Sequence, residues 1–163
     1  MSKVITFSRF FPSYHPRKGE QTYFVEKLWK SMGLSYSAYC DSQGLKIEMF
    51  NFSEWDKFSP KHHTIRAGHR FKAGEYFSPR VWSGKPYNSK QITIAPDIQI
   101  LKVWDFKILD GWVYVGDMGV GKQLFTTIAN NDGLNMEDLK SWFKYPKSTG
   151  PMQIICWNKD IEY

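Results

Sequence analysis

KFSPKHHTIRAGHRFKAGEYFSPRVWSGKPYNSK, residues 57 to 90, is the stretch around which this chain is read. It holds eight Lys or Arg residues (57, 61, 66, 70, 72, 80, 85 and 90) against one acid, Glu75. Its local charge of +7 exceeds the +6 of the whole 163-residue chain, so the remainder is close to neutral. Phe58, Phe71, Tyr76, Phe77, Trp82 and Tyr87 are interleaved with these cations. Cations can hold phosphates and ring faces can stack on unpaired bases, which is what a single-stranded or flipped-out nucleic acid requires. The plainer reading is a solvated basic face whose rings fill the core.

Within the stretch, His63–Arg66 (HTIR) has strand character. Alternation puts Thr64 and Arg66 on one side and Ile65 on the other, toward the core. Ala67-Gly68 and Ala73-Gly74 are turn signals. Glu75–Trp82 (EYFSPRVW) is a second strand, and Pro79 within it points to an edge or a bulge.

Outward toward the N-terminus, Lys3–Ser8 is β-branched and aromatic, a first strand. A loop broken by Pro12 and Pro16 follows. Glu20–Met32 is helical by its spacing of Phe24, Leu28 and Met32, with Gly33 placed to cap the C-terminus. Residues 34 to 58 form a candidate insertion whose LKIEMFNF segment alternates like a strand. Outward toward the C-terminus, QITIA, IQILKVWDFKIL and GWVYV are strands, the last two joined by an Asp110-Gly111 hairpin turn. Lys122–Asn130 and a segment capped by Asn135 are helices, and MQIICW closes the chain as a strand. This order predicts one α+β domain with a curved, mostly antiparallel sheet and peripheral helices.

No apolar run approaches the roughly 20 residues of a membrane helix. The N-terminus has no secretory signal pattern, and Cys40 and Cys156 lie in unrelated contexts. A cytoplasmic location and no membrane partner are therefore the expectation. The sequence is silent on oligomeric state.

Three constellations have chemical potential. Gly116-Asp-Met-Gly-Val-Gly-Lys-Gln123 fits a phosphate-cradling loop but has Gln where a magnesium-ligating hydroxyl belongs, and too little chain follows for the rest of such an enzyme. A glycine-rich strand-to-helix connection is the favoured reading. His62, His63 and His69 lack the spacing and companions of a metal site, so no metal or cofactor is expected. Lys61, Thr64 and Asp132 could form a nucleophilic set: a desolvated lysine as base, a threonine hydroxyl, and a carboxylate to shuttle the proton. Asn130-Asn-Asp-Gly133 is equally the composition of a tight turn.

Lys61-His-His-Thr-Ile-Arg66 resembles the K-x-x-T-I-R signature of the ASCH family, in the PUA-like β-barrel superfamily. The VITF strand, the Gly68–Gly74 turn and the paired helices of LFTTIANNDGLNMEDLKSWF are similar to that family too, over most of residues 61 to 143. The resemblance implies a PUA-like barrel that binds RNA, another single-stranded nucleic acid or a modified nucleoside. Arg66, His63, Arg70, Tyr76, Arg80, Trp82 and Tyr87 are then candidate ligand contacts. It implies an alternative as well: a metal-independent amidohydrolase removing an acyl group from a cytidine-type base through Lys61, Thr64 and Asp132. Asp132 stands where the family has a glutamate, one methylene longer.

Overall fold

A computed structural model describes residues 2–33 and 52–163. Its elements are β1 (Lys3–Thr6), α1 (Phe24–Ser31), a 3₁₀ turn (Trp55–Lys57), β2 (His63–Ala67), β3 (Tyr76–Trp82), β4 (Gln91–Thr93) and β5 (Ile98–Gln99), followed by β6 (Lys102–Leu109), β7 (Trp112–Val115), β8 (Met118–Gly119), α2 (Lys122–Asn131), α3 (Met136–Trp142) and β9 (Met152–Cys156). The candidate strand LKIEMFNF falls, Phe52 apart, outside the described residues.

The strands pair into two sheets. One runs β1-β3-β4 with β5 also on β3, and the other runs β2-β9-β6-β7-β8. The β1–β3 pair is parallel and the other described pairs are antiparallel. An α+β fold with mostly antiparallel pairing is therefore what these residues adopt, arranged as two sheets. Phe7, Phe77, Phe106, Ile154 and Trp157 are among the buried residues of the shared core. Arg66 on β2 donates from Nη2 to the Thr6 carbonyl of β1 at 2.7 Å, joining the sheets at the end that carries the site.

Two expectations change. Pro79 is not on an edge: β3 has β1 on one side and β4 and β5 on the other. The proline sits where β5, paired to Tyr76–Phe77, gives way to β4, paired to Arg80–Trp82, so its missing N–H falls at a break in the ladder. Its carbonyl still accepts from Ile94 at 3.0 Å. The first helix also starts at Phe24, not Glu20. Glu20–Thr22 are taken by the preceding loop: Phe11 N–H donates to Glu20 at 2.9 Å, and Thr22 N–H donates to Arg9 at 2.9 Å. That pairing holds residues 9–22 as a hairpin-like loop beside β1.

The β6–β7 hairpin has Asp110 at φ 51° and Gly111 at φ 79°, the left-handed pair a type I′ turn needs. Gly116 and Asp117 form another two-residue connection, with Val115 opposite Met118. The glycine-rich segment thus folds back as a hairpin before Gly121 leads into α2. Asn135 caps α3 as expected, its side chain accepting from Asp138 N–H at 2.7 Å. Behind the 3₁₀ turn, Phe52 stacks on Trp29 with rings 5.9 Å apart, which ties the end of the candidate insertion to α1. No helix among the described residues is long and apolar enough to cross a membrane.

Because Lys122 is exposed at the first turn of α2 and follows a hairpin, Lys122→Ala should change stability by no more than about 0.5 kcal/mol. A thermal melt with and without magnesium-ATP checks this. A magnesium-dependent stabilisation by ATP that disappears in the variant would show a phosphate loop instead.

Candidate functional site

The α2–α3 elbow positions the centre of the site. Gly133 at φ 85° follows Asp132, and Gly133 and Leu134 N–H groups donate to Asn130 and Ala129 carbonyls, each at 3.0 Å. This is a Schellman cap, which a residue in the left-handed region makes and which glycine favours. It leaves the carbonyls of residues 131 to 133 facing outward from the helix end. Each finds a donor: Asn131 from His62 N–H at 2.7 Å, Asp132 from Lys61 Nζ at 2.5 Å, and Gly133 from Lys27 Nζ at 2.7 Å. Two ammonium groups thus lie at the negative end of a helix, where the backbone dipoles favour them.

Lys61 precedes β2 and is anchored apart from the sheet, its N–H donating to the Lys27 carbonyl at 3.0 Å. Its ammonium also lies 3.2 Å from Asp132 Oδ1 and 4.3 Å from the Phe24 ring centroid. Lys61 is 1% exposed and Asp132 5%. Desolvation outweighs the attraction of Asp132, with Arg66 adding repulsion, and the Lys61 pKa falls to about 8. An amine partly neutral near neutral pH, paired with a buried carboxylate, has the character of a proton-transfer group.

Thr64 is buried. By alternation it lies on the Arg66 side of β2, opposite His63. Lys61 and His63 both reach Asp132, and among the described residues no hydrogen bond joins the Lys61 amine to the Thr64 hydroxyl. The structure therefore brings Lys61 and Asp132 together, while Thr64 shares the strand face of Arg66 without lining the cavity next to it.

That cavity has a volume of about 460 Å³ and is lined by Arg66, Trp82, Tyr87, Phe7, Arg9 and Phe10, among others. Trp82 and Tyr87 rings are 5.3 Å apart at 50°, and Arg9 lies 5.3 Å over Phe10. Tyr87 is 87% exposed and Phe10 47%, so ring faces are available at the rim. Arg66 is held over Phe7 at 5.5 Å, and its Nε is buried with no acceptor among the described residues.

Several expected ligand contacts lie elsewhere. His63 is fully buried, faces Asp132 and does not line this cavity. Arg70 sits over Phe71 at 5.9 Å, and its carbonyl accepts from Lys3. Tyr76 borders a separate depression with Ser2, Lys3, Glu75 and Asp97. Arg80 is engaged by Ser78 at 3.2 Å and Gln91 at 3.4 Å. The +7 stretch is accordingly not one face: Lys61 is inside, Arg66 enters the cavity, and the other cations are divided around the fold. Residues that sequence reasoning passed over are Arg9 and Phe10, a cation beside rings in the first loop, and Tyr163, which meets His63 from 100 positions away. His69 pairs with Asp105 at 3.3 Å on the surface. Among the described residues no group of three His, Cys, Asp or Glu is placed to hold a metal ion. Compared with known protein families, curated proteins and solved structures, the chain matches none.

Two outcomes follow for stability. A Cβ on Gly133 would come 3.3 Å from both Lys61 Cβ and Lys27 Cδ, at a backbone angle that strains any side chain. Gly133→Ala should therefore cost about 1–3 kcal/mol in a denaturant titration. The Lys61 pKa of about 8 lies below its ordinary 10.5, so between those values the unfolded chain binds more protons than the folded one. Stability should rise with pH through that window, until Tyr163, whose pKa burial pushes up from 10.0, adds the opposite slope above that value. Lys27, pushed down by desolvation, contributes in the same sense as Lys61. Lys61→Met should flatten the rise, read from chemical denaturation at successive pH values.

Proposed function

We propose that the cavity beside Arg66 binds a nucleobase, either of a modified nucleoside or of an unpaired residue in RNA, within a PUA-like domain. The carrying observation is the Arg66 side chain at the wall of a ring-lined cavity. Hydrogen bonds from a charged guanidinium are stronger than neutral ones, so a ligand carbonyl or phosphate oxygen that accepts from Arg66 would be held firmly there. Trp82, Tyr87 and Phe10 supply faces for stacking, and Arg9 and Arg66 supply charge for a phosphate. The resemblance of Lys61–Arg66 to the ASCH signature supports the same ligand class. Arg70 and Tyr76 are not part of this reading.

A second reading, hydrolysis of an N-acylated cytidine, is favoured by the 3.2 Å approach of Lys61 to Asp132 in a buried setting. Neutral Lys61 would take the Thr64 hydroxyl proton through a bridging water, and Oγ1 would attack the acyl carbonyl. The C–N bond would break, with the base amine leaving on a proton returned from Lys61. Water would then hydrolyse the threonine ester to free acid. Asp132 would stabilise the ammonium formed in between. Binding is placed first because the Lys61 amine and Thr64 hydroxyl are not in direct contact.

Binding is tested by fluorescence anisotropy with short single-stranded RNA and by calorimetry with N-acetylcytidine, at low and moderate salt. Trp82→Ala with Tyr87→Ala should weaken binding by about 1–3 kcal/mol per stacked base, and Arg9→Ala should reduce the salt dependence. Arg70→Ala should have little effect. No binding at low salt by either ligand, or affinity indifferent to the ring changes, overturns the reading. Production of cytidine from N-acetylcytidine, lost in Thr64→Val and Lys61→Met, would establish the hydrolase.

A further inference from the structure

Behind the Lys61–Asp132 pair lies a chain of side chains that neither reading uses. Asn131 Nδ2 donates to the Tyr163 hydroxyl at 2.8 Å. That hydroxyl is 2.7 Å from His63 Nε2. His63 Nδ1 in turn lies 3.3 Å from Asp132 Oδ1, the oxygen that Lys61 also approaches.

Counting hydrogens sets the direction of each bond. The asparagine amide nitrogen is a donor only, so the Tyr163 oxygen accepts from it and has its own hydrogen left for His63. His63 Nε2 must then be the acceptor, which puts the imidazole hydrogen on Nδ1, where it faces the carboxylate. An ionised Asp132 accepts from His63 and Lys61 together. Every group in the chain is satisfied in this one arrangement, and reversing the imidazole would set a lone pair against the carboxylate.

We propose that His63 and Tyr163 are positioning residues: Tyr163 fixes the His63 tautomer, and His63 holds the Asp132 carboxylate oriented against Lys61. The inference rests on the hydrolase reading for its effect on turnover, and on geometry alone for the tautomer. Burial disfavours the His63 cation despite the nearby Asp132, in keeping with a neutral ring. The titratable groups around His63 are Lys61, His62, Asp132, Tyr163 and its strand partner Cys156. Of these, Tyr163 alone has a hydrogen to give to Nε2 in a neutral state and is hydrogen-bonded there.

The test combines two-bond proton–nitrogen NMR of the His63 ring with turnover of N-acetylcytidine. In the unsubstituted protein Nδ1 should carry the hydrogen and Nε2 should be of the unprotonated type. Tyr163→Phe removes the donor that favours the neutral ring, so His63 should protonate at a higher pH. His63→Phe, which keeps the ring volume, should lower turnover on the order of 10- to 100-fold, as expected for a displaced proton-transfer group. His63→Asn, with an amide nitrogen near the place of Nδ1, should restore most of it. A hydrogen on Nε2, a His63 midpoint unchanged by Tyr163→Phe, or full turnover in His63→Phe overturns the proposal. Should the unsubstituted protein not turn over N-acetylcytidine, the hydrolase reading falls, and the two NMR outcomes decide the positioning role by themselves.

Discussion

The burial of one ammonium group, that of Lys61, is the constraint around which this end of the molecule is built. A cation so far from water is tolerated only where fixed negative charge surrounds it. Here the surroundings are a carboxylate, a helix-terminal carbonyl and the face of an aromatic ring. Meeting those demands fixes the α2–α3 elbow against the chain entering β2. The neighbouring carbonyls are capped in the same stroke by His62 N–H and Lys27, so α1, the end of α2 and the chain entering β2 converge on three residues, 131 to 133. Gly133 is required at that junction twice over, for its left-handed backbone and because the two lysine stems pass within contact distance of its Cα hydrogens.

Arg66 links this buried centre to the ligand side. Its Nη2 hydrogen bond to Thr6 joins the two sheets, while its Nε meets no acceptor among the described residues. One guanidinium therefore serves as structural clamp and as the polar element of a cavity otherwise walled by rings. The cavity depends as well on residues 9–22, whose pairing takes the first turn away from α1 and places Arg9 and Phe10 opposite Trp82 and Tyr87. A longer α1 would have withdrawn that wall. Local helix propensity yields here to backbone pairing that satisfies the loop's own polar groups.

The same accounting describes where two prominent motifs go. The glycines of 116–121 are consumed by a β7–β8 hairpin and a helix entry, so their amides do not converge as a phosphate cradle would need. The adjacent histidines 62 and 63 point apart: His62 Nδ1 meets Asn158 at 3.0 Å, and His63 turns inward to Asp132 and Tyr163. Adjacent residues on an extended chain point to opposite faces, and so do these.

Much of the architecture is legible in the amino-acid order, because periodicity, turn chemistry and caps act over a few residues. The alternation in HTIR, the apolar run of MQIICW, the Asp110-Gly111 turn and the Asn135 cap need no distant partner to be recognised. The α+β class follows from them. Lys61 and Asp132 are noticed from sequence through resemblance alone, since 71 positions separate them and an Asn-Asp-Gly run is ordinary turn composition. What only the tertiary structure decides is which charges meet. The +7 of residues 57–90 is a sum along the chain, whereas electrostatics and burial depend on distance in space, and folding sends Lys61 inside, Arg66 to the cavity and Arg70 to another end. The sheet ladder likewise decides Pro79, which a rule for isolated strands puts at an edge and a break between two partners accommodates in the interior. Tyr163 joins the site for the same reason: its only sequence signal is a hydroxyl on a ring, and its role comes from the imidazole that β2 sets beside it.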